Sequence, residues 1–336
     1  MNKTAVILVN LGTPDSPKVA DVRKYLAEFL SDPRVVDLPW LVRKILVNWI
    51  IVPFRGPKSA KAYEEVWTEE GSPLMIHSLA LAEKVQAALG DEFDVELAMR
   101  YRKPSMVDIL ENVRRKNPAR IIIVPLYPHY ASSTSGSIAE QAMDIIKNWY
   151  VIPDVRIVGQ FYDHPKFIQT IVERARVFDI NSYDHILFSY HGLPIRQLDK
   201  VYDEGLCADK GCENEITEVN KYCYKATCYE TTRLLVKALN LTEGQHSTAF
   251  QSRLAKDWLE PFADQEIEKL AKNGCKKLLI FSPAFVADCL ETIEEIGGEY
   301  KELFKEHGGE ELKLVPSLND HPLWVETVVD LVKHNL

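Results

Sequence analysis

The sequence predicts an α/β protein made of two similar halves, each an open parallel sheet flanked by helices. Short, continuously apolar runs alternate with helical patterns. This is typical of parallel strands in βαβ units, because such strands are buried on both faces. The ends of the first two strong runs also resemble the ends of the last two, which indicates an internal duplication.

The apolar runs predict the strands. The four strongest cover residues 5–9, 120–124, 185–188 and 277–281, and three weaker ones cover 95–98, 155–158 and 312–315. Apolar residues at helical spacing predict helices over 19–30, 79–88, 137–147, 165–175, 230–239 and 265–272. Strand and helix therefore alternate along the whole chain.

The duplication is visible where the strands end. The first strong run ends in NLGTP (10–14) and the third in YHGLP (190–194). The second ends in VPLY (124–127) and the fourth in SPAF (282–285). We predict two domains, 1–160 and 161–336, with the last helix able to pack back on the first half. Because ligands of open parallel sheets bind beyond the carboxyl ends of the strands, we expect the chemistry at these four ends, in a cleft between the halves.

Composition and charge argue against several classes of protein. The chain has 40 Lys and Arg against 49 Asp and Glu, a formal net charge of −9, which disfavours a nucleic-acid binder. No GxGxxG or GxxxxGK[ST] follows a strand, so we expect no nucleotide, and the lack of GxSxG disfavours a hydrolase. The N-terminus lacks a signal-peptide pattern and charges interrupt the apolar stretch 38–54, so we expect a soluble cytoplasmic protein.

His191 is the first candidate for chemistry. It follows the apolar segment ILFSY (186–190) and precedes Gly192, which lets the backbone and a ligand approach closely. The alternative is a structural histidine that is hydrogen-bonded in a loop, which is about as common as a functional one. The position at the carboxyl end of a strand favours a role as a base or as a metal ligand.

A row of carboxylates is the second candidate. On a helix predicted to begin near Phe285, Asp288, Glu291, Glu295 and Glu299 are three, four and four residues apart and share one face. The alternative is a solvated acidic stripe, which is the usual case for a Glu-rich helix. Apolar neighbours favour partial burial, and carboxylates that face a histidine suit the delivery of a divalent cation and the removal of protons.

Aromatic and basic residues of the first half indicate the kind of ligand. They are predicted in loops or at helix starts, and they are Arg55, Lys58, Tyr63, Arg100, Tyr101, Tyr127 and Tyr130. Flat aromatic faces beside Arg and Lys suit a planar, anionic organic molecule. Each residue alone is equally compatible with an ordinary surface or core position.

Six ordered motifs along nearly the whole chain resemble those of the ferrochelatases. They are LVNLGTP (8–14), AMRY (98–101), PLYPHY (125–130), SYHGLP (189–194), FQSR (250–253) and PAFVADCLET (283–292). The resemblance implies two Rossmann-like halves with the active site between them. It also implies an enzyme that inserts Fe²⁺, its substrate, into protoporphyrin IX or a closely related porphyrin to form haem, with loss of two protons and without a nucleotide.

The resemblance also implies roles for individual residues. His191 resembles the essential histidine of the family, either a proton acceptor or an iron ligand, and Glu291 resembles the carboxylate opposite it. The supporting acidic row is Asp288, Glu295 and Glu299. The residues implied at the porphyrin are Arg55, Lys58, Tyr63, Arg100, Tyr101, Tyr130, Phe250 and Phe285. Some members have tryptophan in place of Phe250 and histidine in place of Cys289, so the roles of these two positions stay open.

Four of the six cysteines form a C-x4-C-x10-C-x4-C pattern, with members Cys207, Cys212, Cys223 and Cys228. Disulfides are disfavoured in the cytoplasm, so the pattern predicts a metal site, and it differs from the C-x2-C pair of short zinc knuckles. Some bacterial ferrochelatases hold a [2Fe-2S] cluster in an internal segment, which makes such a cluster the first interpretation. Zinc or another metal, and reduced structural thiols, are the alternatives. The two remaining cysteines are expected to be packed and unbound.

Three questions stay open at the level of the sequence. A chelatase for another divalent metal or tetrapyrrole, such as one for Co²⁺, is the alternative within the class. A non-catalytic tetrapyrrole- or metal-binding protein is the alternative outside it. The segment 40–51, with two tryptophans and a few cations, is interpreted either as a lid helix over the porphyrin or as a peripheral contact with the inner face of the membrane. The sequence does not define the oligomeric state.

Overall fold

The computed structural model describes residues 3–336. The chain divides into two compact units. The first contains the residues up to Tyr127, Ala131–Gly159 and Asp320–Leu336, and the second contains Pro128–Tyr130 and Gln160–Asn319. Each unit contains one sheet, so each is built around its own core.

The sheet of the first unit has four parallel strands. They are β1 (Thr4–Asn10), β2 (Phe93–Met99), β3 (Arg120–Pro125) and β4 (Asp154–Ile157). Their order across the sheet is β2-β1-β3-β4. Asn10 at the end of β1 pairs with Met99 at the end of β2, so the carboxyl ends of these strands lie at one edge.

The sheet of the second unit repeats this arrangement. Its strands are β5 (His185–His191), β6 (His246–Gln251), β7 (Lys277–Phe281) and β8 (Glu311–Leu314). They are parallel and lie in the order β6-β5-β7-β8, the same order as in the first unit. The predicted α/β fold with two similar halves is therefore confirmed.

One strand was missing from the prediction. Strand β6 has the sequence HSTAFQ, in which four of the six residues are polar, so it lacks the continuous apolar run of a buried parallel strand. It is an edge strand that pairs only with β5, and edge strands tolerate such a composition.

Helices connect the strands. In chain order the α-helices of the described residues are α1 (Val19–Ser31), α2 (Trp40–Ile45), α3 (Val52–Val66), α4 (Pro73–Leu89), α5 (Met106–Lys116), α6 (Ser137–Ile146), α7 (Pro165–Ala175), α8 (Ile195–Asp199), α9 (Tyr224–Leu239), α10 (Ala263–Lys272), α11 (Lys301–Glu306) and α12 (Pro322–His334). Proline begins α4, α7 and α12, where its fixed φ and missing N–H suit the first turn. Helix α12 packs against α4 in the first unit. No helix within residues 3–336 is long and apolar enough to cross a membrane.

Three π-helical segments interrupt this pattern, at Leu46–Ile51, Ser132–Gly136 and Glu291–Tyr300. A π-helix closes its hydrogen bonds from residue i to i+5, so each turn holds more residues than an α-helical turn. Side chains that an α-helical pattern would stack on one face are therefore rotated apart.

The core of each unit lies between the sheet and its helices. In the first unit Ile7 and Ile121 of the sheet pack with Leu110 of α5 and with Ile138 of α6. In the second unit the core consists of Leu187, Ile280, Ile267, Ile296 and Phe304 together with their apolar neighbours. In each unit the strands end at the edge of its core, and the polar side chains at these ends are the candidate site residues of that unit.

Candidate active site

His191 is the last residue of β5, an inner strand of the second sheet. The six preceding residues of the strand are buried, whereas the histidine is half-buried. Its Nδ1 lies 2.6 Å from the carbonyl oxygen of Gly192. A carbonyl only accepts hydrogen bonds, so Nδ1 carries a proton and donates it, and in the neutral tautomer the lone pair then lies on Nε2. The strand end therefore holds the imidazole through Nδ1.

Two aromatic rings flank this imidazole. The ring centres of Trp258 and Phe285 lie 6.4 and 6.2 Å from that of His191. Gly192 leaves room for this arrangement, because a Cβ there would lie 2.9 Å from the carbonyl oxygen of Gln251 and 3.3 Å from the Trp258 ring. The surroundings of the histidine are thus apolar and flat, which suits an aromatic ligand.

Glu291 is the first residue of the π-helix Glu291–Tyr300, in the segment that follows β7. Its side chain is half-buried and interacts with the thiol of Cys289. Burial, together with the Glu291 carboxylate beside it, raises the pKa of Cys289. This cysteine is therefore a protonated, packed thiol at pH 7.

The helix predicted to begin near Phe285 begins at Leu290 instead. The carboxylate of Asp288 accepts hydrogen bonds from the backbone N–H of Ser317, at 3.0 Å, and from Nδ2 of Asn319, at 2.7 Å. Asn319 Oδ1 in turn accepts from the backbone N–H of Asp288. These bonds hold the residues before Leu290 in a loop. The prediction that Asp288 lies on the helical face of the acidic row is therefore wrong.

Glu295 lies in a dense set of hydrogen bonds. Its carboxylate accepts from the backbone N–H and the hydroxyl of Ser252 at 2.8 and 2.6 Å, from Nε2 of Gln251 at 3.0 Å and from the hydroxyl of Tyr300 at 2.9 Å. Burial and this carboxylate together raise the pKa of Tyr300. Glu299 is exposed and lines a cavity of about 580 Å³. Of the acidic residues in this helix, Glu295 is held by internal bonds and Glu299 is open to solvent.

Arg100 and Tyr101 form an internal cluster in the first unit. The Arg100 guanidinium donates to Ser137 Oγ at 2.6 Å and to Asp32 Oδ2 at 2.5 Å, and Asp32 also accepts from the Tyr101 hydroxyl at 2.8 Å. Tyr101 is buried, and its burial together with the Asp32 charge raises its pKa. The cation and the phenol predicted to contact the porphyrin are therefore engaged with Asp32.

The other residues implied at the porphyrin differ in exposure. Arg55 and Lys58 are exposed in the first two turns of α3. Tyr63 is buried on the same helix and packs edge-on against Tyr25 and Trp67, 6.2 and 6.3 Å away between ring centres, so it belongs to the core.

In the second unit, Phe250 is fully buried against Tyr190 and Tyr229, which corrects its prediction as a ligand contact. Tyr130 is half-buried and its ring lies 6.2 Å from that of Tyr222. Phe285, beside His191, is also half-buried. In this unit, Tyr130 and Phe285 are the predicted porphyrin residues that the structure leaves accessible.

Three of the four clustered cysteines come together. The Sγ atoms of Cys207, Cys212 and Cys223 lie 3.5–3.7 Å apart, all buried, and the hydroxyl of Tyr202 lies 3.0 Å from the Cys212 sulfur. Hydrogen bonds from Cys207 and Cys212 lower the pKa of Cys223, so the first thiolate forms there. Cys228 lies outside this group on α9, also buried. Soft thiolates at these separations suit iron or zinc.

The family of this chain follows from comparison with known proteins. The family model described as ferrochelatase matches residues 3–336. The chain belongs to the ferrochelatase family. It is 44% identical to a ferrochelatase of Coxiella burnetii (strain CbuK_Q154), an alignment that covers 100% of this chain and 94% of the relative. It is 42% identical to ferrochelatases of Pseudomonas putida, over 98% of this chain and 99% of the relative, and of Legionella pneumophila (strain Corby), over 99% and 100%. Ferrochelatases are metal chelatases that insert iron into protoporphyrin, so this chain is an enzyme of that class.

Solved structures agree on the fold. SirB from Bacillus subtilis, determined with Fe³⁺, superposes with a TM-score of 0.56 at 13% identity, covering 99% of this chain and 95% of SirB. The sirohydrochlorin chelatase SirB from Bacillus subtilis subspecies spizizenii, in complex with cobalt, also has a TM-score of 0.56, at 10% identity and with coverage of 99% and 94%. The ferrochelatase chain thus shares its two-sheet α/β fold with these chelatases.

Two residues of this ferrochelatase site were not among the predicted ones. Trp258 lies beside His191, and Gln251 is fully buried at the end of β6 with its side chain on Glu291 and Glu295. Gln251 lies in the FQSR motif and follows the apolar residues Ala249 and Phe250. This position after an apolar pair could have indicated the end of a strand. Trp258 lies in a polar stretch of sequence that gives no comparable signal.

Proposed function

We propose that this ferrochelatase inserts Fe²⁺ into protoporphyrin IX, or a closely related porphyrin, and that Nε2 of His191 receives a pyrrole proton. The observation that carries the proposal is the hydrogen bond from Nδ1 of His191 to the carbonyl oxygen of Gly192. In the neutral imidazole this bond fits the tautomer whose lone pair lies on Nε2, and that lone pair can accept a proton or bind a metal ion. The full-length match to the family supports the identity of the reaction.

The reaction exchanges two pyrrole protons for one divalent cation, so the site needs proton acceptors and negative charge. His191 provides the base, and the Glu291 carboxylate provides the charge that attracts Fe²⁺ and balances the departing protons. The rings of Trp258 and Phe285 support the flat faces of the ligand beside the imidazole. A site that binds a bent macrocycle more tightly than a flat one lowers the barrier further, because bending exposes the nitrogen lone pairs.

The direct test is an insertion assay. The purified protein is incubated with protoporphyrin IX and Fe²⁺ under exclusion of oxygen, or with Zn²⁺, and the porphyrin absorbance is followed over time. We expect a metalloporphyrin spectrum from the wild type and the blank rate from His191→Ala. A blank rate from both proteins would make the chain a non-catalytic binder. Parallel assays with Co²⁺ and with coproporphyrin measure metal and porphyrin preference, and a clear preference for either would favour the alternative chelatase.

We also propose that Cys207, Cys212 and Cys223, with Cys228 as the fourth ligand, hold a [2Fe-2S] cluster. The three grouped, buried sulfurs and the stabilised thiolate of Cys223 support thiolate binding of a metal. A two-iron cluster takes four thiolates, and Cys228 is the remaining buried cysteine of the segment. Because insertion causes no net redox change, a cluster there would have a structural or sensory role. Zinc is the alternative that three grouped sulfurs also suit.

Iron, zinc and acid-labile sulfide analysis of freshly purified protein, with an absorption spectrum, tests this proposal. We expect iron and sulfide in equal amounts, two of each per chain, and their loss in Cys223→Ser. Cys275→Ser is the matched control, because Cys275 lies outside the group and should leave the content unchanged. Zinc without sulfide would identify a single-metal site, and neither element would indicate reduced thiols.

We also propose a cytoplasmic location with a peripheral membrane contact through the segment from α2 to α3. Trp40, Leu41, Trp49 and Phe54 are 60–81% exposed, and the ammonium of Lys44 lies 4.9 Å above the Trp40 ring. Exposed tryptophans and cations along one helical segment are typical of interfacial helices.

Flotation with anionic liposomes tests this contact. The wild type should float with the liposomes, and Trp49→Glu should not. Tyr150→Glu, which removes a fully exposed aromatic residue elsewhere, is the control and should float like the wild type. Equal recovery of all three proteins would leave the segment as a lid.

A further inference from the structure

We infer that Gln251 is a positioning residue, which holds the Glu291 end of the π-helix in a fixed place relative to His191. The inference rests on the proposed roles of His191 and Glu291. Gln251 is the last residue of β6 and is fully buried, so its side chain does not contact a substrate. Its polar atoms nevertheless all face elements that carry the proposed chemistry.

The backbone of Gln251 is hydrogen-bonded to Gly192, the residue that follows His191. In the register of β5 and β6, His191 pairs with Gln251, and the N–H of Gly192 donates to the Gln251 carbonyl oxygen at 2.8 Å. The approach is so close that a Cβ at Gly192 would lie 2.9 Å from this oxygen. The end of β5 is therefore fixed against Gln251 on its backbone side.

The side chain of Gln251 reaches from the two strands to the π-helix. Its Nε2 donates to the backbone carbonyl oxygen of Glu291 at 3.1 Å and to the carboxylate of Glu295 at 3.0 Å. Its Oε1 accepts from the hydroxyl of Ser189, two residues before His191 on β5, at 2.8 Å. Both partners of Nε2 are acceptors only, so the amide has one orientation that satisfies all three bonds. One side chain thus ties the strand of the base to the first residue of the acidic helix.

Only glutamine meets these requirements. Asparagine is one methylene shorter, roughly 1.5 Å, and cannot reach both the helix and Ser189. Glutamate would direct a carboxylate at the carbonyl oxygen of Glu291 and at Glu295, where like charges and unpaired acceptors repel. Methionine has a similar length and fills the same volume, but it makes none of the three bonds. The Gln251→Met variant therefore isolates positioning from packing.

The test separates kcat from KM. A displacement of about 1 Å at a reacting group can cost on the order of 100-fold in rate. We therefore expect Gln251→Met to lower kcat for metal insertion about 10- to 100-fold while KM for the porphyrin stays within about twofold. Gln251→Asn, which keeps an amide in the same strand, should lose kcat similarly and covers the case that the methionine variant does not fold. Thr248→Val is the matched control, because it removes a buried hydroxyl bond from the same strand without contact to His191 or Glu291.

A double-mutant comparison shows through which group Gln251 acts. In a Glu291→Gln background the carboxylate to be positioned is absent, so adding Gln251→Met should change the residual kcat by less than about threefold. Full additivity of the two losses would overturn the inference, as would equal losses of kcat in Gln251→Met and Thr248→Val or a wild-type kcat in Gln251→Met. His191→Ala is measured alongside. If His191→Ala retains activity, the proposed role of His191 is wrong. This outcome differs from those that overturn the inference about Gln251, so the two failures are distinguishable.

Discussion

The two units contain the same sheet, but the polar residues at their strand ends do different things. In the first unit they bond to residues of neighbouring helices: Asn10 donates to Ser78 of α4 at 3.0 Å, and Arg100 and Tyr101 both donate to Asp32, which directly follows α1. In the second unit the end of β5 carries His191, whose Nδ1 donates to the carbonyl oxygen of Gly192. The duplicated scaffold therefore carries different side chains at the strand ends of its two copies, an internally bonded cation and phenol in one and an imidazole in the other.

The same contrast holds for the carboxylates. Asp32 is 1% exposed in its side chain and lies in an ion pair with Arg100, so its charge is neutralised inside the first unit. Glu291 is half-buried, and its side chain interacts with the thiol of Cys289, whose pKa is raised by burial and by the Glu291 carboxylate. Loss of an acid that pairs with a buried cation destabilises a fold, whereas a carboxylate outside such a pair can act as an oxygen ligand for a metal cation.

The largest expected effect is at the imidazole. His191→Ala should lower the insertion rate by at least 100- to 10,000-fold, the usual contribution of a general base, because no other nitrogen replaces Nε2. Porphyrin affinity, measured by quenching of the protein fluorescence, should stay within a few-fold because little apolar surface is lost. Ser78→Ala, which breaks the bond to Asn10 in the first unit, should leave the rate nearly unchanged. A His191→Ala rate within a few-fold of wild type would show that the two units do not differ in the way described.

Glu291→Gln should be nearly as damaging, with a loss of about 100-fold or more, since the amide keeps the shape and removes the charge. Glu294→Gln, three residues further along the same π-helix, should remain within about threefold. Steady-state insertion rates for both variants, at saturating porphyrin and varied metal concentration, provide the measurement. Parallel losses at the two positions would mean that the whole helix, rather than one carboxylate, supplies the negative charge.

In the first unit the expected loss is of stability. Asp32→Asn leaves the partly buried Arg100 without its counter-charge, which should cost roughly 3–5 kcal/mol of unfolding free energy. Asp144→Asn breaks an exposed ion pair with Lys147 and should cost at most about 1 kcal/mol. Denaturant unfolding of both variants checks the difference. If Asp32→Asn unfolds like the wild type, the cluster around Arg100 is not a stabilising element, and a functional role at this strand end becomes the better explanation.

The smallest expected effect is a pH dependence that comes from His129. Burial lowers the pKa of this histidine to about 3, while its Nε2 contacts Thr231 at 2.9 Å within the second unit. The unfolded chain takes up a proton near pH 6.5 and the folded protein only near pH 3, so the contribution is complete above pH 6.5 and declines as the pH falls between these values. At pH 5 the loss should be about 2 kcal/mol. His129→Gln should flatten this decline in an unfolding series from pH 7 to 5, whereas His334→Gln, at an exposed position, should not.

Much of the fold was predictable because it depends on local patterns. Strands β5 and β7 are continuous apolar runs, so their positions followed from composition alone. Strand β6 did not, since its burial comes from pairing with β5 and from packing that a polar sequence does not indicate. The start of the acidic helix at Leu290, one residue before its π-helical part, was not predicted for a similar reason, because hydrogen bonds from Ser317 and Asn319 hold Asp288 in the preceding loop.

For the candidate site, the sequence indicated which types of residue are present better than it indicated whether each one is buried or hydrogen-bonded. His191 was identified by its place after an apolar run, and the structure places it at a strand end. The family resemblance implies Phe250 and Tyr63 as contacts of the ligand, but both are buried in cores. Gln251 is not among the predicted site residues. In the structure it is buried, and its three side-chain hydrogen bonds link β5 to the acidic helix.

By itself, the sequence determined the fold class, the duplication and, through its ordered motifs, the family, because these depend on short segments whose patterns survive without knowledge of their neighbours. Only the tertiary structure decided which polar groups are satisfied and which are free. The bond from Arg100 to Asp32 joins residues 68 positions apart, and the bond from Gln251 to Glu291 joins residues 40 apart. Whether a charge or a lone pair is available depends on such partners, and their distances along the chain carry no local signal.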